Sequence, residues 1–209
     1  MSTIILLRHA HSQANEQGLL AGRKPGVLLS SKGRKQADEL INRIGKAPVD
    51  FLHISPMQRC HLTINPWLAS RYSSSITKSE IDEAFDEVDY GNWSGKSLAS
   101  LRRKPLWKTI QQRPSLVTFP EGESMRKAQK RAISRIDEIL SKSSKKTHLI
   151  VTHSDLIKMI VAHYLGTKLD NFQKIQIDPA TFTVLSGNSQ GLSIRALNSS
   201  DTLGRILGN

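Results

Sequence analysis

The sequence is poor in cysteine and in aromatic residues, and it lacks long apolar runs. Cys60 is the single cysteine among 209 residues, and aromatic residues make up 5% of the chain. One thiol excludes disulfides within the chain and is typical of proteins kept in a reducing compartment. No apolar run comes near the ~18 residues that cross a bilayer, and no charged and then apolar leader opens the chain. We therefore expect a cytoplasmic protein with no membrane partner.

Acidic residues are also scarce. The chain has 30 lysines and arginines against 18 aspartates and glutamates, which gives a formal net charge of +12. The basic residues fall in separate clusters, without interleaved aromatic residues that would stack on bases. We therefore expect no specific nucleic-acid partner, and we interpret the charge as solvated surface or as a field that attracts small anions. A non-catalytic module that binds anions or nucleic acid is the alternative outside the enzymes.

Two apolar runs each end in a histidine. Ile4–Leu7 leads into Arg8 and His9, and Leu149–Thr152 leads into His153. Runs without polar alternation are typical of strands buried on both faces of a parallel sheet. The carboxyl ends of such strands meet at one edge, where open α/β folds bind ligands. Cations and imidazoles at that edge indicate an anionic substrate, although the first run taken alone fits a solvated surface loop equally well.

Strand and helix patterns alternate along the chain. A short apolar run, Phe51–Ile54, precedes a helix that Ser55 is expected to cap and that carries Arg59 in its first turn. Amphipathic helices begin at Lys32 and at Ser124. The alternation predicts an α/β fold, a three-layer α/β/α sandwich with a mainly parallel central sheet.

No shift in composition divides the chain into two domains. We expect one domain over residues 1–197, with a lid-like insertion at about 96–123 that contains several prolines and little periodicity. Residues 198–209 are expected to form a flexible tail. The last strands are expected at Ile175–Ile177, Phe182–Leu185 and Leu192–Leu197, the latter two joined by a turn at Gly187 and Asn188.

The residues expected at the carboxyl edge suit phosphoryl transfer. Its transition state spreads negative charge over three oxygens, which cations and N–H donors stabilise without a metal. An imidazole is a suitable nucleophile, because its reference pKa of ~6.5 leaves it largely neutral near pH 7. A carboxylic acid must protonate the leaving oxygen and then deprotonate water. The residues are Arg8, His9, Arg59, Glu87 and His153.

His9 and His11 also have a spacing that is found in some metal sites. Such sites need further histidine and carboxylate ligands. The remaining histidines, among them His53 and His148, show no matching spacing. We therefore expect no metal and no other cofactor.

Six short motifs follow one another along the chain, at Leu7–Asn15, Leu29–Ala37, Ser55–Cys60, Glu87–Gly95, Pro120–Ser124 and Val151–Ser154. In content and order they resemble the histidine phosphatase superfamily, in its phosphoglycerate mutase-like branch. Any one motif is weak evidence, but six in order span nearly the whole chain. The loop at residues 21–26 and the Phe85–Glu87 segment also resemble a subgroup of short actinobacterial proteins of mutase type.

The resemblance implies a role for each residue of the predicted site. His9 becomes a phosphohistidine, and Arg8, Arg59 and His153 hold the phosphoryl group. Glu87 is the proton donor, preferred over its acidic neighbours because of its spacing from the family's glycines. Members of the family use no metal.

Weaker matches concern residues around this core. Asn15 and Ser154 are implied as further phosphate contacts. Gly22 and Arg23 lie in a cationic loop that either meets a second anionic group of the substrate or is solvated surface. Ala10 replaces the family's usual glycine, which excludes a positive φ at that position unless strain is tolerated.

We therefore expect a metal-independent phosphatase that hydrolyses small phosphate monoesters through a phosphohistidine on His9. The alternative within the same chemistry is a cofactor-dependent phosphoglycerate mutase, which returns the phosphoryl group to a sugar acid. Against it, the loop after Asn15 lacks the tryptophan-containing pattern of glycolytic mutases. A homodimer is the expectation for the oligomeric state.

Overall fold

Six strands form one sheet in the computed structural model, which describes residues 1–208. The strands are β1 (Ser2–Arg8), β2 (Phe51–Ile54), β3 (Lys78–Ile81), β4 (Thr147–Thr152), β5 (Phe182–Asn188) and β6 (Gly191–Ser199). Their order across the sheet is β3-β2-β4-β1-β5-β6. The first four in this order are parallel, whereas β5 and β6 run antiparallel to their neighbours.

Helices cover both faces of the sheet. They are α1 (Gln13–Glu16), α2 (Ser31–Ile44), α3 (Gln58–Leu68), α4 (Leu98–Leu101), α5 (Pro105–Gln112), α6 (Met125–Lys142), α7 (Ser154–Tyr164) and α8 (Leu203–Leu207). Helices α2, α3 and α8 pack on one face, and α4 to α7 pack on the other. Strand β1 is buried on both faces of the sheet, because Ile4 and Leu6 pack into one core and Ile5 and Leu7 pack into the other. The predicted three-layer α/β fold with a mainly parallel sheet is confirmed.

The C-terminal strands differ from the prediction in two places. Ile175–Ile177 is not a strand but an extended connector, and the Ile177 carbonyl accepts a bond from Arg8 Nη1 at 2.6 Å. The turn between β5 and β6 lies beyond Asn188, because Gly187 still pairs across the ladder. A Cβ on Gly187 would lie 2.0 Å from the carbonyl oxygen of Gly191, so glycine is needed there for close approach and not for a turn.

The end of the chain also corrects the prediction of a flexible tail. Strand β6 continues to Ser199, and α8 follows with Thr202 as its N-cap. Leu203 is fully buried in the core beneath α2 and α3. A single short apolar pattern is too weak to predict a helix, and only the packing of Leu203 reveals one. Asn209 lies outside the described residues.

The insertion at residues 96–123 contains α4, α5 and a 3₁₀ turn at Pro114–Leu116. Apolar side chains of the insertion join the core that packs below α6 and α7. Strand β3 had no sequence signal, since its side chains are mostly exposed at the edge of the sheet. Within residues 1–208 no helix is both long enough and apolar enough to cross a membrane.

Candidate active site

A cavity of about 540 Å³ opens at the carboxyl ends of β1 and β4. We call it the active-site cavity. The parallel pairing of these strands sets Arg8 beside Thr152, so the residues that follow each strand meet there. Of the residues that the sequence predicts at this edge, Arg8, His9, Arg59 and Glu87 line the cavity, and His153 lies fully buried with its ring centroid 5.3 Å from that of His9.

His9 follows β1 directly and is 4% exposed. Its Nδ1 lies 2.8 Å from the carbonyl oxygen of Ala10. Because a carbonyl only accepts hydrogen bonds, this contact assigns the proton to Nδ1 and leaves the lone pair on Nε2. Burial, together with the charges of Arg59 and Arg8, lowers the pKa of His9 well below its usual value. The ring is therefore neutral, as a nucleophile must be.

Ala10 is accommodated without the backbone strain that the sequence raises as a question. Its φ is not positive, and its side chain is fully buried. The Ala10 N–H donates to Thr63 Oγ1 at 2.9 Å, and the Thr63 hydroxyl donates to the Arg59 carbonyl at 2.7 Å. Helix α3 thus supports the backbone next to His9.

Two guanidinium groups line the active-site cavity. Arg59, 1% exposed, donates from Nη2 to the Gly22 carbonyl at 2.9 Å. Arg8 donates from Nη1 to the carbonyl of Ile177. Within residues 1–208 neither buried Nε has a hydrogen-bond partner. Unpaired buried donors are costly, and an anionic ligand would supply the missing acceptors.

His153 is held from both ring nitrogens. Its Nδ1 lies 3.1 Å from Arg59 Nη2, and its Nε2 lies 2.7 Å from Ser55 Oγ. Arginine only donates, so Nδ1 accepts and Nε2 donates to Ser55. Burial and the charge of Arg59 lower the pKa of His153 well below its usual value. Ser55 therefore positions His153 and is not the N-cap of α3, which is Met57.

Glu87 faces the same arginine and histidine. Its Oε2 lies 3.7 Å from Arg59 Nη2 and 3.6 Å from His153 Nδ1, and its Oε1 accepts the Val88 N–H at 3.0 Å. Burial raises the pKa of Glu87 to about 7, although the charge of Arg59 opposes the shift. A carboxyl group with this pKa both gives and takes a proton near neutrality.

The acidic neighbours of Glu87 lie elsewhere. Glu83, Asp86 and Asp89 line a second cavity, of about 590 Å³. Arg23 lines it too, with its Nε 3.2 Å from Asp86 Oδ2 and 2.8 Å from the Glu87 carbonyl oxygen. The structure therefore does not bring Arg23 to the active-site cavity. Its guanidinium instead ties the 21–26 loop to the segment that carries Glu87.

The other three predicted contacts do line the active-site cavity. These are Asn15, Gly22 and Ser154. Asn15 Oδ1 accepts the Ser12 N–H at 3.0 Å, which leaves the amide NH₂ for another acceptor. Gly22 has φ 55°, and a Cβ there would lie 2.4 Å from Ser94 Oγ, so only glycine fits.

Part of the polar framework carried no sequence signal. Arg131 in α6 donates to the Glu87 carbonyl at 3.0 Å and to Glu123 Oε1 at 2.9 Å. The Tyr90 hydroxyl donates to Asp155 Oδ2 at 2.8 Å. Tyr90, Glu87 and Glu123 lie within the predicted motifs. The sequence gives no sign of the residues they contact, because these lie on helices that come close only in the folded chain.

His53, Glu80 and Asp82 are the one group of three metal-type donors found in residues 1–208. Arg135 lies against both carboxylates, with Nη2 2.6 Å from Glu80 Oε1 and Nε 2.7 Å from Asp82 Oδ2. A guanidinium already satisfies these oxygens and repels a cation. The group is a salt-bridge cluster, and it does not include the histidines that follow β1.

Known proteins of similar sequence and fold point to one family. A sequence profile of the Histidine phosphatase superfamily (branch 1) matches residues 4–200. Phosphoserine phosphatase 1 of Hydrogenobacter thermophilus is 27% identical over 211 residues, which cover 99% of this chain and 96% of that protein. The adenosylcobalamin/alpha-ribazole phosphatase of Escherichia coli is 24% identical over 200 residues, 93% of this chain and 94% of that protein. The solved structure of Bacillus stearothermophilus YhfR has a TM-score of 0.87 at 23% identity, over 96% of this chain and 98% of that one.

The chain belongs to the histidine phosphatase superfamily. Its named relatives are phosphatases, which confirms the predicted class of enzyme, a phosphomonoester hydrolase. The structural match to YhfR confirms the predicted fold.

Proposed function

We propose that this protein is a metal-independent phosphatase that transfers the phosphoryl group of a small phosphate monoester to His9 and then to water. The observation that carries the proposal is the contact between His9 Nδ1 and the Ala10 carbonyl, because it leaves Nε2 unprotonated beside two arginines. The unpaired Nε groups of Arg8 and Arg59 support an anionic ligand at the same place.

In the first step, His9 Nε2 forms a bond to phosphorus while the bond from phosphorus to the leaving oxygen breaks. Arg8 and Arg59 bind the phosphoryl oxygens and stabilise their growing charge. His153 positions Arg59 for this role, because its Nδ1 accepts from Arg59 Nη2 at 3.1 Å. Further contacts come from Asn15 and Ser154.

Glu87 moves the protons. In its acid form it protonates the leaving oxygen, and the alcohol departs. The resulting carboxylate then takes a proton from water, whose oxygen attacks phosphorus as the bond to His9 breaks. Phosphate leaves, and both residues return to their starting states. The pKa of Glu87 near 7 supports this double use, since neither form is strongly disfavoured at neutral pH.

Hydrolysis is favoured over the mutase alternative by the relatives, whose names are those of phosphatases. A mutase must hold its phosphohistidine away from water until the phosphoryl group returns to a sugar acid. The relatives are named for substrates as different as phosphoserine and alpha-ribazole, which supports a small phosphorylated substrate for this chain and leaves its alcohol part open. The cytoplasmic location and the homodimer stay predictions.

The decisive experiment uses chelator-treated protein and ³²P-labelled phenyl phosphate. We expect metal-independent hydrolysis and transient label on the wild type. His9→Ala should lose at least about a thousandfold in kcat and take up no label. His163→Ala is the matched control, since His163 is exposed on α7, and it should behave as wild type. Labelling of His9→Ala, or activity lost to the chelator, would exclude the proposed mechanism.

A further inference from the structure

The active-site cavity is far larger than a phosphoryl group, and its lining combines two kinds of side chain. Its volume of about 540 Å³ lies within the range of sites that hold whole small molecules. Part of the lining consists of the polar residues described above. Another part is apolar, and we call it the apolar wall: Leu20, Trp93, Leu98, Trp107, Ile110 and Phe119.

The apolar wall comes from segments that the phosphoryl chemistry does not use. Leu98, Trp107 and Ile110 belong to α4 and α5 of the insertion. Trp93 and Phe119 are almost fully buried and meet edge to face, with ring centroids 5.7 Å apart. This wall is therefore built on packed aromatic rings and not on a mobile surface.

Apart from Arg8 and Arg59, which the phosphoryl group would occupy, the described lining residues of the cavity offer no unpaired cation. Lys158 is the one lysine in the lining, and its Nζ lies 3.6 Å from Asp155 Oδ1 and 3.4 Å from Gln173 Oε1. Arg23, a cation that the sequence suggested for a second anionic group, lines a different cavity. A carboxylate placed against this wall would lose its hydration without gaining a cationic partner.

We propose that the apolar wall binds an aromatic or similarly bulky apolar alcohol part of the phosphate monoester, so that the preferred substrates are aryl-bearing esters and not phosphorylated amino or sugar acids. The proposal rests on the proposed function for the position of the phosphoryl group. Flat rings gain both burial and edge-to-face contacts with Trp93, Trp107 and Phe119.

The test compares two alkyl esters whose leaving alcohols have similar acidity, so that chemistry does not bias the result. We expect kcat/KM for 2-phenylethyl phosphate to exceed that for ethyl phosphate by about tenfold or more, because the phenyl ring is buried against the wall. O-phosphoserine should be no better than ethyl phosphate. Equal values for the first two esters, or a preference for O-phosphoserine, would overturn the proposal.

Trp107 provides the variant, because it is half-buried on α5 of the insertion and its ring is part of the apolar wall. Trp107→Ala should raise KM for 2-phenylethyl phosphate about tenfold and change kcat/KM for ethyl phosphate much less, while Trp107→Phe should restore the preference. Leu116→Ala is the matched control, since Leu116 is 65% exposed on the same insertion and does not line the cavity. An equal effect of Trp107→Ala on both esters would contradict a binding role for the ring.

Calorimetry separates this proposal from the proposed function. His9→Ala cannot form the covalent intermediate, so the affinity of this variant for each ester can be measured without turnover. Tighter binding of 2-phenylethyl phosphate than of ethyl phosphate supports the apolar wall even if the wild type hydrolyses neither ester, a result that would defeat the proposed function alone. Equal binding refutes the apolar wall even if the wild type is an active phosphatase.

Discussion

Burial acts on His9 and Glu87 in opposite directions and prepares both for the proposed reaction. It lowers the pKa of the histidine, where the charged form is a cation, and raises the pKa of the carboxyl group to about 7, where the charged form is an anion. Both residues are therefore neutral at mildly acidic pH, which is the state that the proposed nucleophile and the proposed acid require. Where one environment shifts the pKa values of two titratable groups in opposite directions, those groups are candidates for the acid and base roles.

The pH profile follows from these shifts. Glu87 must carry its proton in the first step, so its titration should leave kcat/KM unchanged below pH about 7 and lower it about tenfold per unit above that pH. Protonation of His9 does not lower kcat/KM between pH 6 and 7, because the pKa of His9 lies well below its usual value. Stopped assays with phenyl phosphate between pH 5 and 9 measure the profile.

Glu87→Gln should lower kcat by about 10² to 10⁴ and abolish the alkaline decline that Glu87 causes. Glu83→Gln is the matched control, because Glu83 is an exposed neighbour that lines the second cavity. Using one substrate for both variants cancels the ionisation of the ester itself. A normal rate in Glu87→Gln would transfer the acid role to another residue.

At the scale of secondary-structure elements, the packing of α8 on the core distinguishes an ordered C-terminal segment from a flexible tail. Leu203→Ala removes a fully buried side chain between α8 and the sheet, and should lower the free energy of unfolding by about 2 to 5 kcal/mol. Urea denaturation measures the change. Leu197→Ala, at a residue 43% exposed on β6, should have little effect. Equal, small effects of the two substitutions would mean that α8 does not pack on the core in solution.

A buried histidine pair links β2 to β4. His53 Nε2 lies 3.1 Å from His148 Nδ1, and His148 Nε2 lies 2.8 Å from Ser143 Oγ. Burial and the neighbouring His53 lower the pKa of His148 to about 4. The unfolded chain binds the proton near pH ~6.5, so acidification favours the unfolded state between these two values. The contribution of His148 to stability is therefore complete above pH 6.5 and declines as the pH falls toward 4.

His148→Gln tests this contribution. The wild type should lose stability between pH 7 and 4.5 by on the order of 2 kcal/mol more than the variant, after an allowance for solvent screening. Urea midpoints at the two pH values give the difference, whatever the stability of the variant at pH 7. His61→Gln, at a partly exposed histidine of α3, is the control and should keep the wild-type pH dependence. A variant with the same pH dependence as wild type would refute the assignment.

At the scale of the whole molecule, the net charge of +12 bears on encounter with anionic esters. The insertion carries Arg102, Arg103, Lys104 and Lys108 as exposed cations, while its apolar residues line the active-site cavity. Raising the salt concentration shortens the screening length to about 8 Å at 0.15 M and weakens this field.

We therefore expect kcat/KM to fall several-fold between about 20 and 300 mM NaCl, with little change in kcat at saturating substrate. The double substitution Arg102→Ala and Arg103→Ala should flatten the salt dependence. The double substitution Arg195→Ala and Arg205→Ala, at exposed arginines of β6 and α8, removes the same number of charges and is the control for net charge alone. Equal flattening by both changes would mean that the position of the charges is unimportant.

Much of the site was predictable because its residues lie next to strong local signals. Arg8 ends a largely apolar strand, His9 and His153 each directly follow such a strand, and Arg59 lies in the first turn of the helix after another. Parallel strands of one sheet bring such residues to one edge whatever the detailed packing. Arg23 was harder to place, because its partners Asp86 and Glu123 are distant in sequence.

The sequence by itself determined most of the sheet, its helical layers and the kind of chemistry proposed at its edge, since hydrophobic period and residue type are local properties. The tertiary structure alone decided which nitrogen of His9 is unprotonated and which carboxyl group faces Arg59. It also decided how far the cavity extends beyond the residues that would bind the phosphoryl group. These depend on contacts between residues far apart in the chain, as between Ser55 and His153 or along the apolar wall. Such contacts form only when the layers pack, and they set the hydrogen bonds and burial on which reactivity depends.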